Sequence, residues 1–238
     1  MEEDSYLPRD HVPTSARPLL GMTILVVEDS RYASEAMRLM CVRSGARIRR
    51  ADCLKSARRH LQVYRPTAMI VDLGLPDGSG LELIGEMSGG AGHVEVLIAP
   101  SGDVGLESAA INAGAQGFLA KPVTKLAIFQ NAILTHVPEE RRPMGPRLVV
   151  PDEIEPDALA YHDDMVAMSA ALDHRADADT VQYVTQFLHG VARSARDEVL
   201  LNAVDQLRSV QRKGGDVPRG IARVSTLLQD RMEQRAKI

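Results

Sequence analysis

Between residues 22 and 136 the chain alternates between two polar–apolar periods. Short strand-like runs, apolar except at 46–50, fall at 22–27, 46–50, 67–71, 94–98 and 116–120. Between and after them, at roughly 31–44, 53–63, 79–88, 103–114 and 124–135, apolar positions recur at the spacing of a half-buried helix. Five such repeats predict an α/β domain with a five-stranded parallel, doubly wound sheet and helices on both faces. The runs 24–27 and 68–71 are wholly apolar, which suits central strands, whereas Arg47, Arg49 and Arg50 put 46–50 at an edge. Ser30, Ser79, Asp103 and Thr124 stand where helix N-caps are expected. Gly45 and Gly114 stand where a left-handed residue ends a helix.

The flanks follow other rules. Residues 1–21 are polar, carry Pro8, Pro13 and Pro18, and read as a flexible N-terminal arm. Residues 137–157 carry Pro138, Pro143, Pro146, Pro151 and Pro156 and read as a semi-rigid linker, with Leu148-Val149-Val150 as a short docking strand inside it. From 158 to 238 the period is helical throughout. Tyr161, Met165, Met168 and Leu172 begin a stripe that Val181, Val184, Leu188 and Val191 continue. The stripe shifts phase near Arg196-Asp197-Glu198 and resumes at Leu200, Val204 and Leu207. Lys213-Gly214-Gly215-Asp216 reads as a helix stop, a turn and a new N-cap before Ile221, Val224, Leu228 and Met232.

Composition narrows the functional classes. The 238 residues are 45% apolar, enough for a sizeable core, and only 3% aromatic with no Trp, which argues against stacking platforms for single-stranded nucleic acid. A net charge of −4 supplies no global polycation for DNA. Cys41 and Cys53 have no metal-ligand spacing and read as buried free thiols. The acidic N-terminus lacks the apolar core of a secretion signal, and no run approaches a membrane span. The expectation is a cytoplasmic protein with no membrane partner.

Candidate chemistry lies where the apolar runs stop. Ile24-Leu25-Val26-Val27 runs into Glu28-Asp29, Ala68-Met69-Ile70-Val71 into Asp72, and Gly117-Phe118-Leu119-Ala120 into Lys121-Pro122. If these runs are parallel strands, three acids and one lysine converge at the carboxyl edge of one sheet, where open α/β folds place their ligands. Clustered carboxylates without His or Cys suit a hard cation, most naturally Mg²⁺. With charge on the transferring oxygens neutralised by metal and lysine, a carboxylate can accept a phosphoryl group. Taken singly, each of these residues is as well explained by a turn or a cap; the argument rests on all four at ordered strand ends.

At these residues segment 22–136 resembles a receiver domain of bacterial two-component response regulators. The resemblance is carried by Glu28-Asp29, by Val71-Asp72-Leu73-Gly74-Leu75-Pro76-Asp77-Gly78-Ser79-Gly80, by Gly114-Ala115-Gln116-Gly117-Phe118-Leu119-Ala120 and by Lys121-Pro122. It implies a flavodoxin-like fold. It further implies that Asp72 receives phosphate from a histidine kinase or phosphotransfer protein, and that Mg²⁺ is held by Asp29, Asp72, the Gly74 carbonyl and, through water, Glu28. Lys121 then pairs with the phosphoryl oxygens, and the peptide before Pro122 is cis. The implied activity is that of a phosphoacceptor, with at most self-phosphorylation and self-dephosphorylation, rather than an enzyme. One position departs from the family. Its switch hydroxyl, at the end of the fourth strand, falls on Ala99 by spacing from Lys121, with Ser101 as the available substitute. The aromatic switch position falls on Phe118.

The region 158–238 is less informative. Amphipathic helices of this length build a helical effector or dimerisation module that binds an unidentified protein partner. The alternative is a transcription factor whose C-terminal helices bind DNA. Arg208, Arg212, Lys213, Arg219 and Arg223 flank the Gly214-Gly215 turn and suit phosphate contacts, but they equally suit a solvated helix face. His162 and His189 lack the flanking residues of a phosphorelay histidine and read as helix-face residues.

Overall fold

The computed structural model describes residues 12–89, 92–145, 153–172 and 176–235. They form two compact units. One holds the residues up to Glu28 together with Ala36–Ile154, and the other holds Asp29–Glu35 with the chain from Glu155 onward. The predicted docking strand at Leu148-Val149-Val150 lies outside the described residues.

In the first unit the order is β1 (Thr23–Val27), α1 (Arg31–Arg43, whose first turn belongs to the second unit), β2 (Arg47–Ala51), α2 (Leu54–Val63) and β3 (Ala68–Val71). A two-residue hairpin, β4 (Gly74–Leu75) and β5 (Gly78–Ser79), leads into α3 (Gly80–Ser88). Then come β6 (Val96–Ser101), a 3-10 turn at Val104–Leu106, α4 (Glu107–Ala113), β7 (Gly117–Ala120) and α5 (Leu126–Leu134). The sheet order is β2-β1-β3-β6-β7, parallel throughout. Chain order thus reverses beside β1, and the crevice between β1 and β3 is the switch point of this five-stranded, doubly wound, flavodoxin-like fold.

Alternation along the strands divides the core. Ile24, Val26, Ala68, Ile70, Val96 and Ile98 face α1 and α5, in a cluster with Met37, Met40, Cys41, Phe129 and Ile133. Leu25, Val27, Met69, Val71, Leu97 and Ala99 face α2, α3 and α4, with Leu54, Leu61, Leu83, Ile84 and Ala110. A strand covered on both sides has no room for polar side chains, so β1 and β3 are apolar at both parities. The arginine-bearing β2 is at the edge, as its composition predicts.

Several local expectations change. The predicted arm is ordered in part: Leu19 is fully buried in the first cluster and its N–H donates to the Ser44 carbonyl at 2.9 Å. The apolar pair Leu19-Leu20 after Pro18 gains more from burial than a free arm would. Within the predicted linker, Ile154 is buried in the same cluster and donates to the Thr124 carbonyl at 2.8 Å. Thr124 is therefore not the N-cap of α5; Lys125 holds that position without a side-chain bond. Ser30, Ser79 and Asp103 do accept capping N–H groups. Cys53 is half-buried rather than buried, because it caps α2 and its Sγ accepts from Ser56. Cys41 is buried as expected, and burial pushes its thiol up to about 12.

The second unit contains α6 (Ala158–Ala171), α7 (Ala178–Ser194), α8 (Glu198–Lys213) and α9 (Val217–Arg235). Its core is the predicted stripe: Met165, Met168, Val181, Val184, Leu188, Leu200, Val204, Leu207, Val224 and Leu228. The phase shift is a break between helices, with Arg196 at φ 58 and Asp197 capping α8 through Leu200 N–H at 3.0 Å. Gly214 ends α8 at φ 71, and Asp216 accepts from Arg219 N–H at 3.1 Å to open α9. Asp197 also receives both a bidentate bond from Arg231, at 2.9 Å for each contact, and the Tyr161 hydroxyl at 2.7 Å. Among the described residues no helix is long and apolar enough to cross a membrane.

Candidate functional site at the carboxyl edge of the sheet

Each candidate group follows a strand end, and its backbone is fixed by the strand beside it. Glu28 N–H donates to the Ala51 carbonyl at 2.9 Å, Asp72 N–H to Val27 at 2.9 Å, and Lys121 N–H to Ser101 at 2.9 Å. The ladder therefore continues one residue past the last paired side chain and sets where each functional group emerges. Sheet positions hold such groups more tightly than loops do.

The convergence expected from the sequence is present. Lys121 Nζ lies 2.7 Å from Glu28 Oε2 and 2.9 Å from Asp72 Oδ1. Glu28 is 3% exposed and Asp72 8%, so these ion pairs are largely removed from water. One carboxylate oxygen each from Glu28, Asp29 and Asp72 lies within 4.8 Å of the others. Burial alone would lower the lysine's proton affinity. The charges of Asp72 and Glu28, with their hydrogen bonds, outweigh it and hold Lys121 charged far above the ordinary lysine range.

The local sequence explains the access to Asp72. Gly74 pairs with Ser79 in the β4–β5 hairpin, and Ser79 then caps α3. At Gly80 an added Cβ would lie 2.0 Å from the Asp72 carbonyl oxygen, so the start of α3 can reach the Asp72 backbone only without a side chain. The sequence suggested a turn-maker here; the close backbone approach is the stronger reason. Asp77, in the hairpin turn, accepts from Leu54 N–H at 2.8 Å and Lys55 N–H at 2.9 Å, tying the loop to α2. Although burial opposes it, these bonds hold the Asp77 carboxyl below its usual range.

The region assigned to the switch differs in one respect. The fourth strand of the sheet does not stop at Ile98 but runs through Ser101. Ala99 is a fully buried interior residue opposite Phe118, and Ser101 is the strand's last residue, opposite Ala120. Ser101 is 5% exposed, and its Oγ accepts from Asp103 N–H at 3.1 Å. The run 94–98 predicts a strand end before Ala99, but the strand continues; beyond Ile98 it pairs only with β7, so Pro100 interrupts no pairing with β3. Phe118 is half-buried and packs against the α2–α4 side of the core. The Lys121–Pro122 peptide is cis.

Sequence reasoning missed the residues that hold Asp29 and the segment after it. Tyr183, on α7, donates its hydroxyl to Asp29 Oδ2 at 2.7 Å. Asp164, on α6, accepts from Ser30 Oγ at 2.7 Å, Arg31 N–H at 2.8 Å and Tyr32 N–H at 3.1 Å, and so caps the start of α1. No spacing rule links residues so distant in sequence.

Three carboxylates against one ammonium leave an excess of negative charge, and all donors are hard oxygens. That set fits a small divalent cation without thiolate or imidazole ligands. A lysine and a nucleophilic carboxylate in contact beside such a cation are the parts needed to accept a phosphoryl group.

The family model described as "Response regulator receiver domain" matches residues 24–133. The KDP operon transcriptional regulatory protein KdpE of Escherichia coli is 29% identical over 99 residues, 42% of this chain and 44% of that protein. The transcriptional regulatory protein PhoP of Escherichia coli is 29% identical over 102 residues, 42% of this chain and 46% of the relative. The match thus spans under half the length of these curated relatives. Among solved structures, the receiver domain of sensor histidine kinase PA1611 from Pseudomonas aeruginosa, with a magnesium ion in its active-site cleft, is 26% identical. That match covers 49% of this chain and 97% of the other at a TM-score of 0.45. Sequence motifs, sheet topology and the family match converge: residues 24–133 of this chain are a response regulator receiver domain.

Proposed function

We propose that this chain is a phosphorylation-controlled response regulator whose output passes through its C-terminal helices to a protein partner. Asp72 is the phosphoacceptor. Its carboxylate oxygen forms a bond to phosphorus as the donor's phosphorus bond breaks, and the electron pair stays with the donor, a phosphohistidine of a kinase or phosphotransfer protein. Asp29, Asp72, the Gly74 carbonyl and, through water, Glu28 would hold Mg²⁺, which would supply charge neutralisation on the transferring oxygens. Lys121, already charged, supplies the remaining cation at the same oxygens.

The observation that carries this reading is Lys121 Nζ bridging Glu28 and Asp72 at 2.7 and 2.9 Å beside the three-carboxylate cluster. A purely structural role would not require an excess of buried carboxylates at the switch point of the sheet. We assign no turnover of a separate substrate. With acetyl phosphate and Mg²⁺ the protein should gain one hydroxylamine-labile phosphate. Asp72→Asn, whose amide does not attack phosphorus, should gain none; undiminished labelling of that variant would end the assignment.

The four helices α6–α9 support a protein-interaction or dimerisation role. KdpE and PhoP are named as transcriptional regulators, but the likeness to them stops within the receiver segment. DNA binding is the alternative output, and a gel-shift series across salt concentrations decides it: strong, salt-steep binding would favour DNA.

A further inference from the structure

Within the first unit, Glu153 and Ile154 return to the loop between β7 and α5. Lys125 and Glu153 form an isolated antiparallel bridge, and Ile154 N–H donates to the Thr124 carbonyl at 2.8 Å. Ile154 is 1% exposed and lies in the cluster of Phe129, Ile133 and Val137. Val123 and Leu126, from the same loop and the first residue of α5, pack against that cluster. Burial of the isoleucine, more than its single hydrogen bond, holds the segment in place.

The other end of this loop is the site lysine. Lys121 stands three residues before Thr124. Its amide is fixed to the Ser101 carbonyl at 2.9 Å, and its ammonium is held by Glu28 at 2.7 Å and Asp72 at 2.9 Å. A phosphoryl group on Asp72 adds charged oxygens that compete with Glu28 for that ammonium. An N–H to carbonyl bond leaves its ordinary range near ~3.2 Å, so the Thr124 carbonyl cannot move far without loosening Ile154.

We propose that Glu153-Ile154 is a tether whose docking on the β7–α5 loop is coupled to the state of Asp72. It is docked while Lys121 pairs with Glu28 and Asp72, and released when Lys121 turns to a phosphoryl group. This rests on the reading of Asp72 as the phosphoacceptor. Ile154 directly precedes Glu155, from which the chain runs on as the second unit, so the tether is where a change at Asp72 meets the chain of the output helices. The coupling is reciprocal: whatever weakens docking favours the phosphoryl state by the same factor.

The test is hydrogen exchange of the full chain by NMR, with Mg²⁺, with and without beryllofluoride, which mimics a phosphoryl group. The amides of 72–80 report the pocket and the Ile154 amide reports the tether. In wild type beryllofluoride should speed exchange at Ile154 about tenfold, and in Asp72→Asn it should change nothing. Ile154→Ala should bind beryllofluoride about fivefold or more tighter than wild type, with Ile154→Val, which loses a single methyl group, in between. Unchanged or slower exchange at Ile154 while 72–80 respond would overturn the proposal. An affinity of Ile154→Ala or Ile154→Val equal to or below that of wild type would overturn it too. If 72–80 do not respond in wild type, or respond equally in Asp72→Asn, the phosphoacceptor reading itself fails and takes this proposal with it.

Discussion

In the proposed function, single residues would decide whether the acidic pocket reacts and whether it switches. The position of Asp72 at a strand end is readable from sequence because an acid after a four-residue apolar run, followed by Gly and Pro, is unusual for a core; its role as phosphoacceptor is the proposal. Ala99 and Ser101 were harder, because a proline between them resembles a strand terminus. The structure moves the end of β6 to Ser101. A hydroxyl that answers a phosphoryl group at the carboxyl edge is therefore expected at Ser101 rather than at the fully buried Ala99. A hydrogen bond to a charged group contributes about 1.5–3 kcal/mol, a tenfold or larger effect on a two-state balance. Ser101→Ala should accordingly cut the structural response to beryllofluoride, a phosphoryl mimic, as read by hydrogen exchange over 99–120. Ala99→Thr adds volume to a filled core and should mainly destabilise, by about 1–3 kcal/mol. If instead Ser101→Ala changes nothing and Ala99→Thr enlarges the response, the working hydroxyl position is 99.

At the scale of elements, period and punctuation made most of the fold legible. The apolar runs gave the five strands, the arginines of 46–50 gave an edge, and Gly214 with Asp216 gave the end of one helix and the start of the next. The parts that escaped are long-range. Leu19 and Ile154 look like tail and linker because their burial depends on strands and helices far along the chain. Asp197 reads as a cap, yet Arg231 and Tyr161 also close on it, joining α6, α9 and the turn before α8. Burial opposes the Asp197 charge, but the bonds from Arg231, Leu200 N–H and Tyr161 lower its carboxyl to about 2. An unfolded aspartate titrates near ~3.9. The network therefore stabilises fully above about pH 4 and is lost as pH falls from there towards 2, a contribution of about 1–2 kcal/mol after allowance for solvent screening. Asp197→Asn should lower stability near neutral pH and flatten the acid limb of the unfolding profile followed by circular dichroism. An unchanged acid limb would remove Asp197 from that role.

At the scale of the whole molecule, the proposed function makes both the signal and part of the stability depend on one acidic pocket. Crowded carboxylates repel one another without a cation, so Mg²⁺ should raise the melting temperature. At a free concentration of about 100 times its dissociation constant the gain is about 2.7 kcal/mol. Asp29→Ala should lose most of that gain, and an equal shift in both proteins would contradict the cation site. The output of α6–α9 was the least legible part, since an amphipathic stripe states that a helix is buried but not what its outer face meets. The central claim, that Asp72 carries the phosphoryl group, has a direct chemical test. After treatment with acetyl phosphate and Mg²⁺, borohydride reduction converts an aspartyl phosphate to homoserine, which peptide mass spectrometry locates. The account predicts homoserine at position 72 alone, dependent on Mg²⁺ and absent from the untreated protein. Modification at another carboxylate, or an acid-labile phosphate on a histidine with position 72 unchanged, would contradict it.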